Sequence, residues 1–318
     1  MGAAVEPRHT LAGVLRIATF NVNGIRAAHR RGFGRWLRDR GCDVIALQEV
    51  RCPVGQLPEG AFGDRHAVYD PGVLAGRNGV AVLTREPPVT VRSWGSPPVV
   101  VTPEGGVSEA SMGEADVLAR ELRAFAHEGR YLEVDLADAP VTVASLYLPK
   151  GGLPAHLQIP GRMREAPDGG ARYERKMAFL KGFARQLDRS RRAAKARGRE
   201  FLLMGDLNIA HAELDVHHWR RQVRSEGFLP EERAWLDSQI GPRRLVDVMR
   251  RVHPGVQGPY SWWSWLGGSF ANDTGWRIDL HLATPGLART AVAAVVDREP
   301  SRDERLSDHA AVVVDYDL

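Results

Sequence analysis

Polar residues at the ends of apolar runs have the types that hydrolytic chemistry needs. Asp206 and Asn208 close the run Phe201-Leu-Leu-Met-Gly-Asp-Leu-Asn208, Asp279 ends Asn272-Asp-Thr-Gly-Trp-Arg-Ile-Asp279, and His309 ends Leu306-Ser-Asp-His309. Asn21 and Asn23 follow Ile17–Phe20, and Glu49 follows Val44–Gln48. In an α/β protein, polar groups at strand ends are where chemistry usually sits. Carboxylates, amides and one imidazole in such places suit hydrolysis of a phosphodiester.

Hard divalent cations prefer oxygen donors, and Mg²⁺ uses one or two carboxylates while keeping several waters. Glu49 is therefore the best single ligand candidate, with Asn21 beside it. An isolated Asn at a strand end also reads as an Asx-turn former or a cap. His309 can donate to a phosphate oxygen if a carboxylate holds its other nitrogen, and Asp279 is the natural partner. The other reading of that pair is a buried Asp–His contact that satisfies two polar groups. Zinc is not indicated, since His217 and His218 are adjacent and neighbours rarely converge on one ion. No Gly-rich phosphate loop of the Walker type is present.

The elements that must position these groups are legible as strand-like runs at Leu15–Phe20, Val44–Gln48, Gly79–Leu83, Tyr131–Leu136, Val141–Tyr147, Phe201–Met204, Ile278–Leu282, Ala291–Val296 and Ala310–Val314. A helix is expected with Phe33, Trp36 and Leu37 on one face. A long second one carries Met177, Leu180, Phe183, Ala184 and Leu187, and a third starts near Pro230. Several strands follow one another without a helix between them, so a mixed-sheet, layered α/β sandwich fits better than a purely parallel sheet. No linker divides the chain. The reading is a tail at 1–14 and a single domain at 15–318, with a surface excursion carrying a short helix at 93–128 and an irregular loop at 150–173.

The 318 residues, 43% of them hydrophobic, are enough for a full core. A net charge of +4 and a pI near 9.3 fit a polyanionic partner without requiring one. With only Cys42 and Cys52 there is no disulfide framework, which points to a reducing, cytoplasmic setting. No apolar stretch is long enough for a membrane span. Tyr260-Ser-Trp-Trp-Ser-Trp265, with Trp276 beyond it, concentrates indoles that need partners for their N–H groups. That reads either as core or as a pocket able to stack on bases or fill the space of a missing one. The basic residues between Arg185 and Arg199 read first as a solvated helix face.

The ordered set Thr19-Phe-Asn-Val-Asn-Gly-Ile-Arg26, Leu47-Gln-Glu49, Gly79-Val-Ala81, Leu146-Tyr-Leu-Pro149, Gly205-Asp-Leu-Asn-Ile-Ala-His211, Gly227-Phe-Leu-Pro-Glu-Glu-Arg233, Gly275-Trp-Arg-Ile-Asp279 and Ser307-Asp-His309 resembles the exonuclease III family of DNA-repair nucleases. The resemblance spans nearly the whole chain. It implies a four-layer α/β sandwich, two mixed β-sheets packed face to face with helices outside, that cuts DNA with Mg²⁺ or Mn²⁺. It implies Asn21, Glu49 and Asp308 at the metal, and Tyr147, Asp206, Asn208, Asp279 and His309 as the catalytic set. Asn23, Lys150, Trp262, Trp276 and Arg277 are the expected substrate contacts. The implied activity is cleavage 5′ to abasic sites with 3′-end exonuclease or cleanup activity, by a monomer acting on double-stranded DNA with abasic sites or blocked 3′ ends. A related phosphoesterase acting on another ester and a weakly active DNA-binding protein are the competing readings. The chain departs from the family pattern at Lys150, where a small polar residue is common, and at Arg51, where the family often has Thr-Lys after the acid and this chain has Val50-Arg51.

Overall fold

The computed structural model describes residues 13–74, 76–113, 117–161, 163 and 165–318. Its first strands are β1 (Val14–Asn21), β2 (Val44–Gln48), β3 (His66–Asp70), β4 (Val80–Thr84), β5 (Thr90–Ser93), β6 (Val99–Val101) and β7 (Val107–Glu109). The second half contributes β8 (Tyr131–Asp135), β9 (Val141–Tyr147), β10 (Glu200–Asp206), β11 (Val246–Asp247), β12 (Asp279–Ala283), β13 (Ala291–Asp297) and β14 (Ala311–Asp317). The helices are α1 (Ile25–Arg30), α2 (Phe33–Arg40), α3 (Ala171–Ala196), α4 (Pro230–Gln239), α5 (Val248–Val252) and α6 (Pro285–Thr290).

The strands form two mixed sheets, ordered β13-β14-β1-β2-β4-β3-β6-β7 and β11-β12-β10-β9-β8-β5. Alternation along each strand divides the core. Ile17, Val44, Ala46, Val143, Leu202 and Met204 face the gap between the sheets. Ala18, Phe20, Ile45 and Leu47 face outward beneath Phe33, Trp36 and Leu37 of α2. Ala144, Leu146, Phe201 and Leu203 face outward beneath Phe179, Leu180, Phe183 and Leu187 of α3. Each sheet therefore buries both faces, giving helix, sheet, sheet and helix layers. Among the described residues, no helix is long and apolar enough to cross a membrane.

Two of the ladders are parallel, β1 with β2 and β9 with β10. Each is closed by a crossover containing helix, as parallel neighbours require. Both pairs deliver their carboxyl ends to one edge of the sandwich. There the inward-facing positions, apolar along most of each strand, become Asn21, Gln48, Tyr147 and Asp206.

Some expectations need correction. The expected tail falls almost wholly outside the described residues, and β1 already includes Val14. The excursion at 93–128 is more integrated than sequence suggested. Within it, β6 and β7 extend the first sheet, and its short helix is a 3₁₀ turn at Arg120–Phe125 that buries Leu122 and Phe125. Three-residue strands and a six-residue turn are too brief to show a period. The loop at 150–173 contains a 3₁₀ turn at Ala155–Leu157 and the first residues of α3.

Gly205 marks the tightest approach in the second sheet. At φ +143° it lets β10 pass so close to β9 that a Cβ would lie 1.9 Å from the Leu146 carbonyl oxygen. Gly205→Ala should therefore lower unfolding stability by roughly 2–3 kcal/mol through overpacking. A urea titration checks this, and an unchanged midpoint would refute the tight approach.

Candidate active site

The polar ends converge on an open cavity of about 550 Å³, lined by residues from both sheets and their connecting loops. The Asn21 side chain is fully buried between two acids. Its Nδ2 donates to Glu49 Oε1 at 2.8 Å and to Asp206 Oδ2 at 2.9 Å, while its Oδ1 accepts the Asn23 N–H at 3.0 Å. Asn208 holds Asp206 from the other side. Its backbone N–H donates to Oδ1 at 2.9 Å, and its Nδ2 donates to Oδ2 at 3.2 Å and to the Leu148 carbonyl at 3.0 Å.

His309 enters just before β14, and its Nδ1 lies 2.8 Å from Asp279 Oδ2 at the start of β12. Its Nε2 is 3.8 Å from Asp206 Oδ2. Burial alone would disfavour the imidazolium, but Asp279 and then Asp206 and Asp308 reverse that and raise the His309 pKa to about 10. Burial, with Asp279 and Glu49 nearby, raises Asp206 to about 7 against the pull of His309. Burial, with Glu49 and Asp206 nearby, pushes the Tyr147 phenol well above its usual range, so it remains a donor.

Glu49 Oε2 lies against the Arg51 guanidinium but receives no well-aligned N–H. Arg51 also donates to Asn23 Oδ1 at 2.6 Å, and Asn23 Nδ2 donates to Asp308 Oδ1 at 2.7 Å. Trp262 Nε1 reaches the other Asp308 oxygen at 3.2 Å. Asn23, Glu49, Arg51 and Asn208 all have positive φ, between 44° and 51°. Left-handed backbone at non-glycine residues is costly and tends to cluster at functional sites.

Ligand-capable atoms of Glu49, Asp206 and His309 lie within 4.8 Å of one another. A protonated imidazole has no lone pair to offer and hard cations take oxygen, so the two carboxylates are the fitting donors. Glu49 Oε2, buried and accepting no hydrogen bond, agrees with such a cation. Of the expected set of Asn21, Glu49 and Asp308, Glu49 falls in this group. Asn21 presents its nitrogen to the acids because its oxygen is engaged by Asn23. Asp308 is occupied by Asn23 and Trp262, and burial is outweighed by His309 and these donors, which hold its pKa low.

Trp262 and Trp276 line the cavity and pack with Phe228 and Ile278. Trp263, between them in the aromatic cluster, is core, with its Nε1 2.9 Å from Asp273 Oδ1. Lys150 lines the mouth with Nζ 2.8 Å from Glu226 and 3.4 Å from Glu165, so its charge is shared with two acids. Arg277 does not line the cavity. It is buried at 1% exposure, with both ends of its guanidinium on Asp215 and Asp247 at 2.7–3.0 Å. Asp215 and Asp247 hold it there, outside the cavity, correcting its expected place on substrate. Sequence reasoning noted Arg51 only as a departure, although its spacing two residues after Glu49 was the available signal. The basic stretch on α3 pairs with Glu121, Asp188 and Asp135.

Two mixed sheets with outer helices and a cluster of acids and imidazole at the parallel strand ends define a hydrolase of the four-layer sandwich class. The chain belongs to the endonuclease/exonuclease/phosphatase family, whose sequence profile matches residues 18–309. It is 28% identical over 302 residues to an exodeoxyribonuclease of Bacillus subtilis, covering 94% of this chain and 98% of that one. It is 23% identical to a DNA-(apurinic or apyrimidinic site) endonuclease of Dictyostelium discoideum, over 96% of this chain and 71% of the relative. The structure of an AP endonuclease from Archaeoglobus fulgidus is similar at TM-score 0.71 and 25% identity, covering 96% of this chain and all 100% of that one. A 3′-5′ exonuclease from Neisseria meningitidis shares the fold at TM-score 0.73 and 24% identity, with 96% and 100% covered.

The placement of Arg277 generates a prediction. Burial opposes the charge of Asp215, but Arg277 more than offsets it and holds the carboxyl below its usual range. Arg277→Met would leave Asp215 to Arg250 and deprive buried Asp247 of its cation, and should cost roughly 3–5 kcal/mol of stability. The loss should shrink as pH falls and those acids protonate. Denaturant melts at neutral and acid pH check this, and an equal loss at both would refute the ion-pair account.

Proposed function

We propose that this chain hydrolyses DNA phosphodiesters 5′ to abasic sites, with a 3′-to-5′ exonuclease or 3′-end cleanup activity, using Mg²⁺ or Mn²⁺. The observation that carries the reading is that the acid pair Glu49 and Asp206, the charged His309–Asp279 pair and two cavity-lining indoles share one opening. The relatedness to an exodeoxyribonuclease supports it. The substrate would be double-stranded DNA with abasic sites or blocked 3′ ends, and the protein a cytoplasmic monomer acting on chromosomal DNA as one nuclease domain.

Asp206 is held on both oxygens by Asn21 and Asn208, which fixes its orientation. It orients the attacking water and accepts its proton. His309, held by Asp279 at Nδ1, offers Nε2–H to a phosphate oxygen as negative charge grows there. Tyr147 is a second donor to the phosphate. Asn208 has both amide hydrogens engaged and serves Asp206 rather than the phosphate. Glu49 and Asp206 would hold the divalent cation, which when bound neutralises phosphate charge and acidifies water. Attack by water leaves 3′-hydroxyl and 5′-phosphate ends. Trp262 and Trp276 would accept a sugar without its base and crowd out one that keeps it, at least cost where no base must be unpaired.

Single-turnover cleavage measured against pH tests the role of Asp206. The rate should climb with pH, on an acid limb at or below about 7, because the carboxylate form is the active one. Asp206→Asn should remove that limb and slow cleavage by about 10²–10⁴, with DNA affinity nearly unchanged. Near-parental cleavage by the variant would end this assignment.

The pocket is tested with matched abasic and intact duplexes, alongside a simple phosphate ester. Trp262→Ala and Trp276→Ala should each lower the preference for the abasic duplex by on the order of tenfold. If both variants keep the parental ratio, the indoles do not select the lesion.

A further inference from the structure

Lys176, in the second turn of α3, is a charged residue at 1% exposure, on a helix whose other buried side chains are uncharged. Its Nζ lies 2.7 Å from Glu232 Oε1 in α4, a close charge contact off the line of a well-formed hydrogen bond. The same Nζ donates to two backbone carbonyls, that of Asn208 at 2.9 Å and that of Lys150 at 3.0 Å. Glu232 in turn accepts the Leu229 N–H at 3.0 Å. One ammonium and its counter-ion thus touch three separate loops around the cavity.

Each loop leads to a site group by a short fixed path. The Asn208 peptide held by Lys176 is followed back to Asp206 through the Asn208 N–H and side-chain amide. The Lys150 peptide follows Tyr147-Leu148-Pro149, and Leu148 is bonded to the Asp206–Asn208 segment in both directions, its N–H to the Asp206 carbonyl at 2.9 Å and its carbonyl from Asn208 Nδ2. The third loop packs on the first at Gly227, where a Cβ would sit 3.0 Å from the Asn208 carbonyl oxygen. Gly151 shows how closely the lysine fits. At φ +83°, it has no room for a Cβ, which would lie 2.5 Å from Lys176 Cδ.

A buried ion pair is weak as a source of stability, because desolvation can cancel the attraction. What this pair does provide is direction, since a single charge satisfies two carbonyls that would otherwise be free to turn. We propose that Lys176, neutralised by Glu232, is a positioning residue that fixes the Asn208 and Lys150 peptides and thereby the aim of Asp206 and the placement of Tyr147. This rests on the reading of Asp206 as the group that acts on water.

The test replaces the pair with neutral groups so that no lone charge is stranded. Lys176→Met with Glu232→Gln should melt close to the parent. Its single-turnover cleavage of an abasic duplex at saturating Mg²⁺ should fall on the order of tenfold to a hundredfold, the scale of a small misplacement of reacting groups. DNA affinity should change by less than about threefold. Arg16→Met with Asp315→Asn serves as the control, since that ion pair joins β1 to β14 away from the cavity. A parental cleavage rate in the Lys176 variant, or an equal loss of rate in the control, would overturn the proposal. So would a loss of affinity matching the loss of rate. Asp206→Asn in the same assay separates the two ideas: if it cleaves normally, the reading of Asp206 falls, whatever Lys176 does.

Discussion

The carboxamide of Asn21 is the contact on which the site depends. Its two N–H groups hold Glu49, at the end of the first sheet's parallel pair, and Asp206, at the end of the second's. Two carboxylates brought this close in a buried place repel each other and have each lost water. A neutral double donor between them is a way to hold both at a fixed spacing without quenching either. Behind it the polar contact between sheets continues. Thr19 donates to Gln48, Gln48 donates to Ser145, and Ser145 donates to the Leu47 carbonyl. The sandwich is therefore sealed by apolar side chains along most of its length and by directional hydrogen bonds at one end.

The positive charges follow from the same constraint. The centre holds Glu49, Asp206, Asp279 and Asp308, and the fold supplies Arg51 and a protonated His309 against them. That leaves an acid surplus at the core of the site, which agrees with a divalent cation and explains how so many buried carboxylates coexist. The strained loop residues Asn23, Glu49, Arg51 and Asn208 sit where strands hand over to loops. The sheets beneath them are pinned by long ladders, so the strain is carried by a rigid base.

Much of this was legible in the sequence because strand periodicity and chemistry coincide. The run before Asp206 showed both a strand and the direction of its last side chain. The face of α2 with Phe33, Trp36 and Leu37 was legible for the same reason. What stayed hidden depended on partners far along the chain. Arg277 sits between Trp276 and Asp279 in sequence, but the acids that claim it, Asp215 and Asp247, come from other elements. Asn21 was expected beside Glu49 at a strand end, yet which end of its amide faces the acids is decided by the backbone of Asn23. Nothing in the sequence singled out Lys176, since helical periodicity carries no information about a counter-ion on another helix. The short strands β6 and β7 lack enough residues to alternate.

The strand order has a consequence for when the molecule becomes competent. Strand β14 inserts between β13 and β1, pairing residues at opposite ends of the described chain, and His309 immediately precedes it. During synthesis, every other described strand leaves the ribosome first, and β1 must wait with an open edge for a partner some 290 positions later, as in the pairing of Thr19 with Val312. Such non-local closure is slow compared with helix formation or hairpin closure. The imidazole and its Asp279 partner meet only when that closure is made. A nascent or C-terminally shortened chain thus holds its acids without their imidazole, and the cluster is whole only when the sheet is.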